Sequence, residues 1–316
     1  MMSTPPAPTL PRRWRHLALV ALLAVGATLA GCGGETRDPF QPARLLVFGD
    51  ESSLLESDGR RHGINGLASD NISIDCSARP IWVQSVAAST GRVFDECNPG
   101  GVTPTAFMNA EVDAQVGDVV EQLAAYRLAG PKPGDLITVA VGLHDVLAVH
   151  ADYVAGSEAA PDAVLRARGE RLAGAVNATV QVDGPVALLS TVPDVGRTPH
   201  ALALPAGQAA LLTRLSAAFN SGLRQGIVND GRRIGLVDAF NLVQVMATRP
   251  GDFGIANATE VACDLVRFPL PNCTTDTLMP NASADNWLWA DSLRLAPAGH
   301  SRLASEARLR LQDNPF

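Results

Sequence analysis

The chain has 316 residues, of which 47% are hydrophobic and 18% are charged. This composition is typical of a packed globular protein and excludes disordered and fibrous classes. The formal net charge is −7, and it becomes −10 when residues 1–31, which contain three arginines and no acid, are removed. Because phosphate binding along a nucleic acid requires a concentrated basic face, we expect no nucleic-acid partner.

The N-terminus has the order of an export signal. Basic residues precede an apolar stretch from Leu17 to Leu29, which is shorter than a comfortable bilayer span. The stretch ends in Leu29-Ala30-Gly31-Cys32, which resembles the bacterial lipoprotein box. That resemblance implies a cleaved signal at 1–31, lipidation of Cys32 and a lipidated linker at 32–43. Because Gly33 follows the cysteine, it also implies that the protein is anchored in the outer membrane of a bacterial cell envelope. The alternative is an ordinary signal with an incidental cysteine.

Four further cysteines follow the leader, at Cys76, Cys97, Cys263 and Cys273. An even set in an oxidising compartment favours disulfides, and the absence of a C-x-x-C spacing disfavours a metal site. Four cysteines allow three pairings. We predict Cys76–Cys97 and Cys263–Cys273, because each pair closes a short loop.

Four short runs rich in β-branched residues and leucine predict buried parallel strands, at Arg44–Phe48, Leu136–Val141, Val186–Thr191 and Ile234–Val237. Apolar residues at helical spacing predict helices between and after them, at Val116–Leu128, Asp162–Ala175, Gln208–Arg224 and Pro297–Leu311. Alternating strands and helices predict a three-layer α/β/α sandwich with a mostly parallel sheet, as one domain over 44–316.

Ligands in such sheets bind at the carboxyl ends of the strands. This rule directs attention to three segments, which are Gly49–Ser53, Gly142–Asp145 and the loop that begins at Thr191.

Those segments resemble the motif blocks of the SGNH, or GDSL, ester hydrolases. The matching stretches run in the family's order and are Phe48–Glu51, Asp113–Gln122, Gly142–Asp145, Val192–Pro199 and Asp291–Arg294. The likeness spans about 44 to 307. It implies the SGNH-hydrolase fold, which is flavodoxin-like, and ester hydrolysis by a serine without a metal or other cofactor.

The chain departs from that pattern at four functional positions. Glu51 stands where the family has its nucleophilic serine, and Arg294 stands where it has the catalytic histidine. Asp113 replaces the oxyanion glycine, and His144 replaces the oxyanion asparagine. A gap of a few residues would bring Gly117 into register in place of Asp113. Asp291, which orients the histidine in the family, is kept. Because arginine stays protonated, Arg294 cannot act as a general base.

Two functions remain open. In the first, catalysis is relocated to Ser52 or Ser53 with His144 as base, so that Ser52, His144 and Asp291 are the catalytic candidates for a small ester. The other residues that we expect to line the site, or to orient the imidazole, are Asp50, Glu51, Asp113, Asp145, Arg294 and His300.

In the second, the protein is an inactive hydrolase-like lipoprotein that binds a polar ligand or a partner in the same cleft. A metal-dependent hydrolase using Asp50, Glu51, His144 and Asp291 is a weaker third hypothesis, because no two-histidine spacing supports it.

The substitutions also predict compensating charges. Glu51 faces Arg294 where the family has serine and histidine, and Asp113 lies near His144 where it has glycine and asparagine. A carboxylate in a half-buried cleft requires a partner, so we predict a Glu51–Arg294 ion pair.

Overall fold

The computed structural model describes residues 1–4, 40–154, 156, 160–181, 184–228 and 231–313. The predicted signal beyond residue 4, Cys32 and the linker as far as residue 39 lie outside these ranges. Contacts group Phe40–Phe316 into one unit. Among the described residues, no helix is long and apolar enough to cross a membrane.

Five parallel strands form the central sheet in the order β4-β1-β5-β6-β7. They are β1 (Arg44–Gly49), β4 (Ala106–Met108), β5 (Asp135–Ala140), β6 (Val186–Ser190) and β7 (Ile234–Val237). Counted along the chain, this order is 2-1-3-4-5, which is the flavodoxin-like arrangement. Two small pairs lie outside the sheet: β2 (Gly66–Leu67) with antiparallel β3 (Ile74–Asp75), and β8 (Asn257–Val261) with parallel β9 (Trp287–Trp289).

Helices cover both faces of the sheet because side chains alternate along each strand. On β1, Leu46 and Phe48 pack with α2 (Val116–Ala129), α3 (Leu143–Val154), α4 (Pro161–Thr179) and α6 (Gln208–Gly226). Leu45 and Val47 face the other layer, which contains α1 (Trp82–Ser89), α7 (Ala239–Thr248) and α8 (Pro297–Asp313). A short helix, α5, spans Pro199–Leu202. The predicted three-layer α/β/α sandwich is confirmed.

The four predicted strands and four predicted helices are all present, with ends that differ by at most four residues. The elements that the sequence did not predict include β4, α1, α3 and α7, as well as the short strands β2, β3, β8 and β9 and the short helix α5. Strand β4 has only three residues, so its pattern carries little signal.

Both predicted disulfides are confirmed. Cys76 and Cys97 are bonded across a sequence separation of 21, and Cys263 and Cys273 across a separation of 10. The second bond lies in a small apolar cluster with Trp287 and Ile64, away from the central sheet.

Candidate active site

The turn after β1 sets the position of the site. Gly49 has φ 144°, and a Cβ there would lie 2.1 Å from the carbonyl oxygen of Ala140. The same oxygen accepts a hydrogen bond from the Asp50 backbone N–H at 3.1 Å. Only glycine fits this close approach of β1 and β5, and the turn places Glu51 at the carboxyl ends of the strands.

Glu51 is 1% exposed and has donors on both carboxylate oxygens. Its Oε2 accepts from the backbone N–H of Asp113 at 3.0 Å, and His144 Nε2 lies 2.9 Å from Oε1 and 3.0 Å from Oε2. Arg294 donates to Oε1 from Nε at 2.8 Å and also from Nη2. Donors from three distant parts of the sequence therefore converge on one buried carboxylate.

Two of these donors stand at positions that the SGNH resemblance assigns to the oxyanion hole. Asp113 has φ 60°, a left-handed conformation that favours glycine, and this supports its alignment with the oxyanion glycine. His144 stands for the oxyanion asparagine and presents Nε2 to the same carboxylate. The carboxylate of Glu51 thus accepts the hydrogen bonds that a substrate oxyanion would need.

The predicted Glu51–Arg294 ion pair is confirmed, and Asp291 also binds the guanidinium. Arg294 Nη1 donates to Asp291 Oδ2 at 2.6 Å, while Asp291 Oδ1 accepts from the backbone N–H of Leu293 at 2.9 Å. Asp291 therefore orients a guanidinium where the family orients an imidazole. The other predicted pair is weaker, because His144 Nε2 lies 3.8 Å from Asp113 Oδ1 and the Asp113 side chain is 75% exposed.

The network favours the charged forms of Glu51 and His144. Burial alone would raise the pKa of Glu51, but the hydrogen bond from His144 and the charge of Arg294 lower it to about 2. Burial likewise favours a lower pKa for His144, yet its hydrogen bond to Glu51 outweighs this and the pKa is raised. Burial and the neighbouring charge of Glu51 raise the pKa of Asp50 to about 6, although the hydrogen bonds from Ser52 and the charge of His144 oppose the rise.

Folding stability should fall as the pH rises above neutrality. The pKa of His144 is raised above its ordinary 6.5, so its contribution is complete below that value and is lost as the pH rises through the higher folded value. Urea unfolding of the wild type between neutral and alkaline pH should show this loss. His144→Gln should give a flatter profile in that window, and equal slopes in the two proteins would contradict the assignment.

The hydroxyls of Ser52 and Ser53 are engaged elsewhere. Ser52 Oγ donates to Asp50 Oδ1 at 2.5 Å, and the Ser52 backbone N–H donates to the same oxygen at 3.0 Å. Ser53 is fully buried and its Oγ accepts from Trp82 Nε1 at 3.0 Å. No hydrogen bond joins either serine to His144 in the described chain, so the candidate pair is not assembled here.

Asp145 does not line the site, contrary to expectation. Its Oδ2 accepts from the backbone N–H of Val116 at the start of α2, and its Oδ1 accepts from Arg168 at 2.9 Å. An acid at a helix N-terminus satisfies free backbone donors, which is a structural role.

His300 lies in the first turn of α8 and is 3% exposed. Burial and the charge of Arg61 lower its pKa to about 3, so it is neutral at ordinary pH. Within the described residues, its Nδ1 has no hydrogen-bond partner. No hydrogen bond links it to Ser52 in the described part of the chain, and it therefore forms no dyad with that serine.

A small cavity lies beside the network. Asp50, Ser52, Arg294 and His300 line it together with mostly apolar side chains such as Trp82. Its volume is about 50 Å³, well below the ~300–1,000 Å³ of typical ligand pockets.

Three of the same residues lie close enough together to be considered as metal ligands. Glu51, Asp113 and His144 offer ligand atoms within 4.8 Å of one another, a set that differs from the predicted one. The guanidinium of Arg294 is bonded to Glu51 Oε1, where it would repel a cation. Of the other two predicted ligands, Asp50 accepts from Ser52 and Asp291 accepts from Arg294. The arrangement fits an ion-pair network better than a metal centre.

The sequence missed the direct Glu51–His144 contact, which joins the two predicted pairs into one network. Part of the signal was present, since the carboxyl ends of β1 and β5 are adjacent and each is followed by one of these residues, but adjacency does not fix the direction in which the His144 ring turns. The hydrogen bond from Trp82 to Ser53 had no comparable signal.

Comparisons with known proteins gave structural similarities only. No family model and no curated protein matches the chain. A lipolytic G-D-S-L family member from Veillonella parvula is 11% identical, with a TM-score of 0.43 over 84% of this chain and 96% of that one. Axe2, an acetylxylan esterase from Geobacillus stearothermophilus, is 13% identical, with a TM-score of 0.42 over 85% and 94%.

A third similar structure is LAE5, an alpha/beta hydrolase enzyme from the metagenome of Lake Arreo, Spain. It is 13% identical, with a TM-score of 0.44 over 87% of this chain and 96% of that one. The chemistry of the present site is decided by its own residues.

Proposed function

We propose that this protein is an exported envelope lipoprotein with a hydrolase-like fold that does not hydrolyse esters. The observation that carries the proposal is the position of the Glu51 carboxylate, which accepts from Asp113 N–H, His144 Nε2 and Arg294. These partners stand at the oxyanion and histidine positions of the resembling family. A side chain of the protein itself thus occupies the place of the reacting carbonyl. In this proposal the protein binds a polar ligand or a partner and does not cleave it.

The alternative is ester hydrolysis by a relocated Ser52 and His144. A general base must lie within hydrogen-bond reach of the proton that it removes. His144 Nε2 is directed at Glu51, and Ser52 Oγ is directed at Asp50. The geometry therefore supports the binding function over the relocated enzyme.

Hydrolysis of p-nitrophenyl acetate by the mature protein separates the two functions. We expect a rate equal to that of Ser52→Ala and of His144→Ala, and equal to the buffer rate at the same pH. Turnover by the wild type that disappears in both variants would establish the relocated enzyme. Circular dichroism of each variant controls for loss of folding.

The envelope location rests on the leader, in which an apolar stretch ends in Leu-Ala-Gly before Cys32. Acyl chains on Cys32 would anchor the protein stably. Cells that express the wild type should incorporate labelled palmitate into it, and Cys32→Ser should abolish the label and the faster-migrating processed form. Equal labelling of Cys32→Ser would show that the lipoprotein assignment is wrong.

A further inference from the structure

A basic trough crosses the surface between α1 and α8, in the layer opposite α4 and α6. It consists of two adjoining hollows of about 370 and 660 Å³ that share Pro80, Ser85 and Arg308. The side chains that define it, which we call the arginine trough, are Arg79, Arg92, Arg302 and Arg308. The one acid among the residues that line it is Asp285, so a chain of net charge −7 concentrates positive charge here.

The charge of the trough is largely uncompensated. Arg92 donates to the carbonyl oxygens of Thr90 and Ala43, at 3.1 and 2.8 Å, and Arg302 donates to that of Phe253 at 2.9 Å. Carbonyl oxygens orient a guanidinium without neutralising it.

Of the other two arginines, Arg79 pairs with Asp285, whose side chain is 66% exposed. Arg308 is exposed and has no hydrogen bond or ion pair with any residue that the structure describes. Ser85, Ser301 and Ser305 also line the trough, and the hydroxyls of Ser85 and Ser305 donate to the carbonyl oxygens of Ile81 and Ser301. The forked N–H donors of arginine match the geometry of a phosphate group, and the four guanidinium groups of the trough supply them.

One end of the trough adjoins the point at which the chain enters the domain, because Arg92 is bonded to Ala43. Ten residues lie between Cys32 and Ala43, and the eleven Cα–Cα steps that join the two span at most about 40 Å. If Cys32 carries the lipid, as the proposed function holds, this end of the trough stays within reach of the bilayer surface.

We propose that the arginine trough binds the phosphate headgroups of anionic phospholipids and holds the domain against the membrane. A lipid anchor attaches the chain without fixing the orientation of the domain. A basic surface beside the tether supplies a second, charge-dependent attachment.

The test is cosedimentation of the full chain with phosphatidylcholine vesicles, alone or with part of the lipid replaced by phosphatidylglycerol. The readout is the ratio of the two affinities, since an acyl anchor binds both vesicles equally. Arg302→Gln/Arg308→Gln should lower the ratio about fivefold per arginine, the equivalent of about 1 kcal/mol each. Arg171→Gln/Arg214→Gln changes the net charge equally in the opposite layer and should leave the ratio unchanged.

The outcomes separate this proposal from the anchor. If Cys32 is not lipidated, binding to neutral vesicles is lost but the preference for phosphatidylglycerol remains. An equal ratio for the two double variants would overturn the trough assignment. Saturable calorimetric binding of inorganic phosphate that only the trough variant loses, without any preference for anionic vesicles, would overturn it in favour of a free phosphate ligand.

Discussion

Arg294→Met should lower the free energy of unfolding by about 3–5 kcal/mol, the range found when one partner of a buried ion pair is removed. Glu51 and Asp291 are 1% and 4% exposed, and both accept hydrogen bonds from this guanidinium. Without it, two carboxylates lie close together in a poorly solvated site, and Glu51 keeps only His144 and the backbone N–H of Asp113 as partners. Chemical denaturation at neutral pH measures the loss.

A double-mutant cycle isolates the cause. Glu51→Gln should also destabilise the protein. The double variant Glu51→Gln/Arg294→Met should lose less free energy of unfolding than the two single variants together, because it lacks the Glu51 charge that Arg294→Met alone leaves without its guanidinium. Arg267→Met is the matched control, since its side chain is 70% exposed and its ion pair with Asp264 should contribute about 0–1 kcal/mol. If Arg294→Met cost no more than this control, the network would not be a buried one.

Restoring the family residues should create an ester hydrolase. The variant carries Glu51→Ser, Asp113→Gly, His144→Asn and Arg294→His and keeps Asp291. It removes the internal carboxylate, frees the oxyanion donors and places an imidazole beside the orienting acid. We expect hydrolysis of p-nitrophenyl acetate on the order of 10³-fold or more above the wild type. The glycine at 113 also suits the left-handed φ of 60° found there.

The matched control carries the same changes but has Glu51→Ala, which provides the freed site without a nucleophile. Its rate should stay at the wild-type level. A restored variant that folds, as judged by circular dichroism, and yet hydrolyses no faster than this control would contradict the assignment of these positions.

Most of the central sheet and the long helices were predictable because they rest on the periodicity of apolar residues. The four predicted strands lie in buried runs bounded by turn residues, and the helices between them have long apolar stripes. Strand β4 and helix α1 were not predictable, since the three residues of β4 give no period and α1 has only eight. Their places are fixed by packing against β1 and α8 rather than by local sequence.

The site was predictable in part. Glu51 and Arg294 have opposite charges, and the motif order placed both residues at the carboxyl ends of the strands. Together these two facts indicated an ion pair. The orientation of His144 was not predictable, since a residue after β5 can turn toward Glu51 or toward Ser52 and only the packed structure decides. The same holds for Asp145, whose carboxylate turns to the start of α2.

Intact mass after incubation with a fluorophosphonate tests the central claim most directly, because this reagent bonds covalently to a serine that a base activates. We predict that the wild type keeps its mass, since Glu51 occupies the oxyanion donors and Ser52 donates to Asp50. The restored variant should gain one adduct, located at position 51 by peptide mapping, which shows that the reagent reaches the site. An adduct on Ser52 or Ser53 of the wild type would contradict the account.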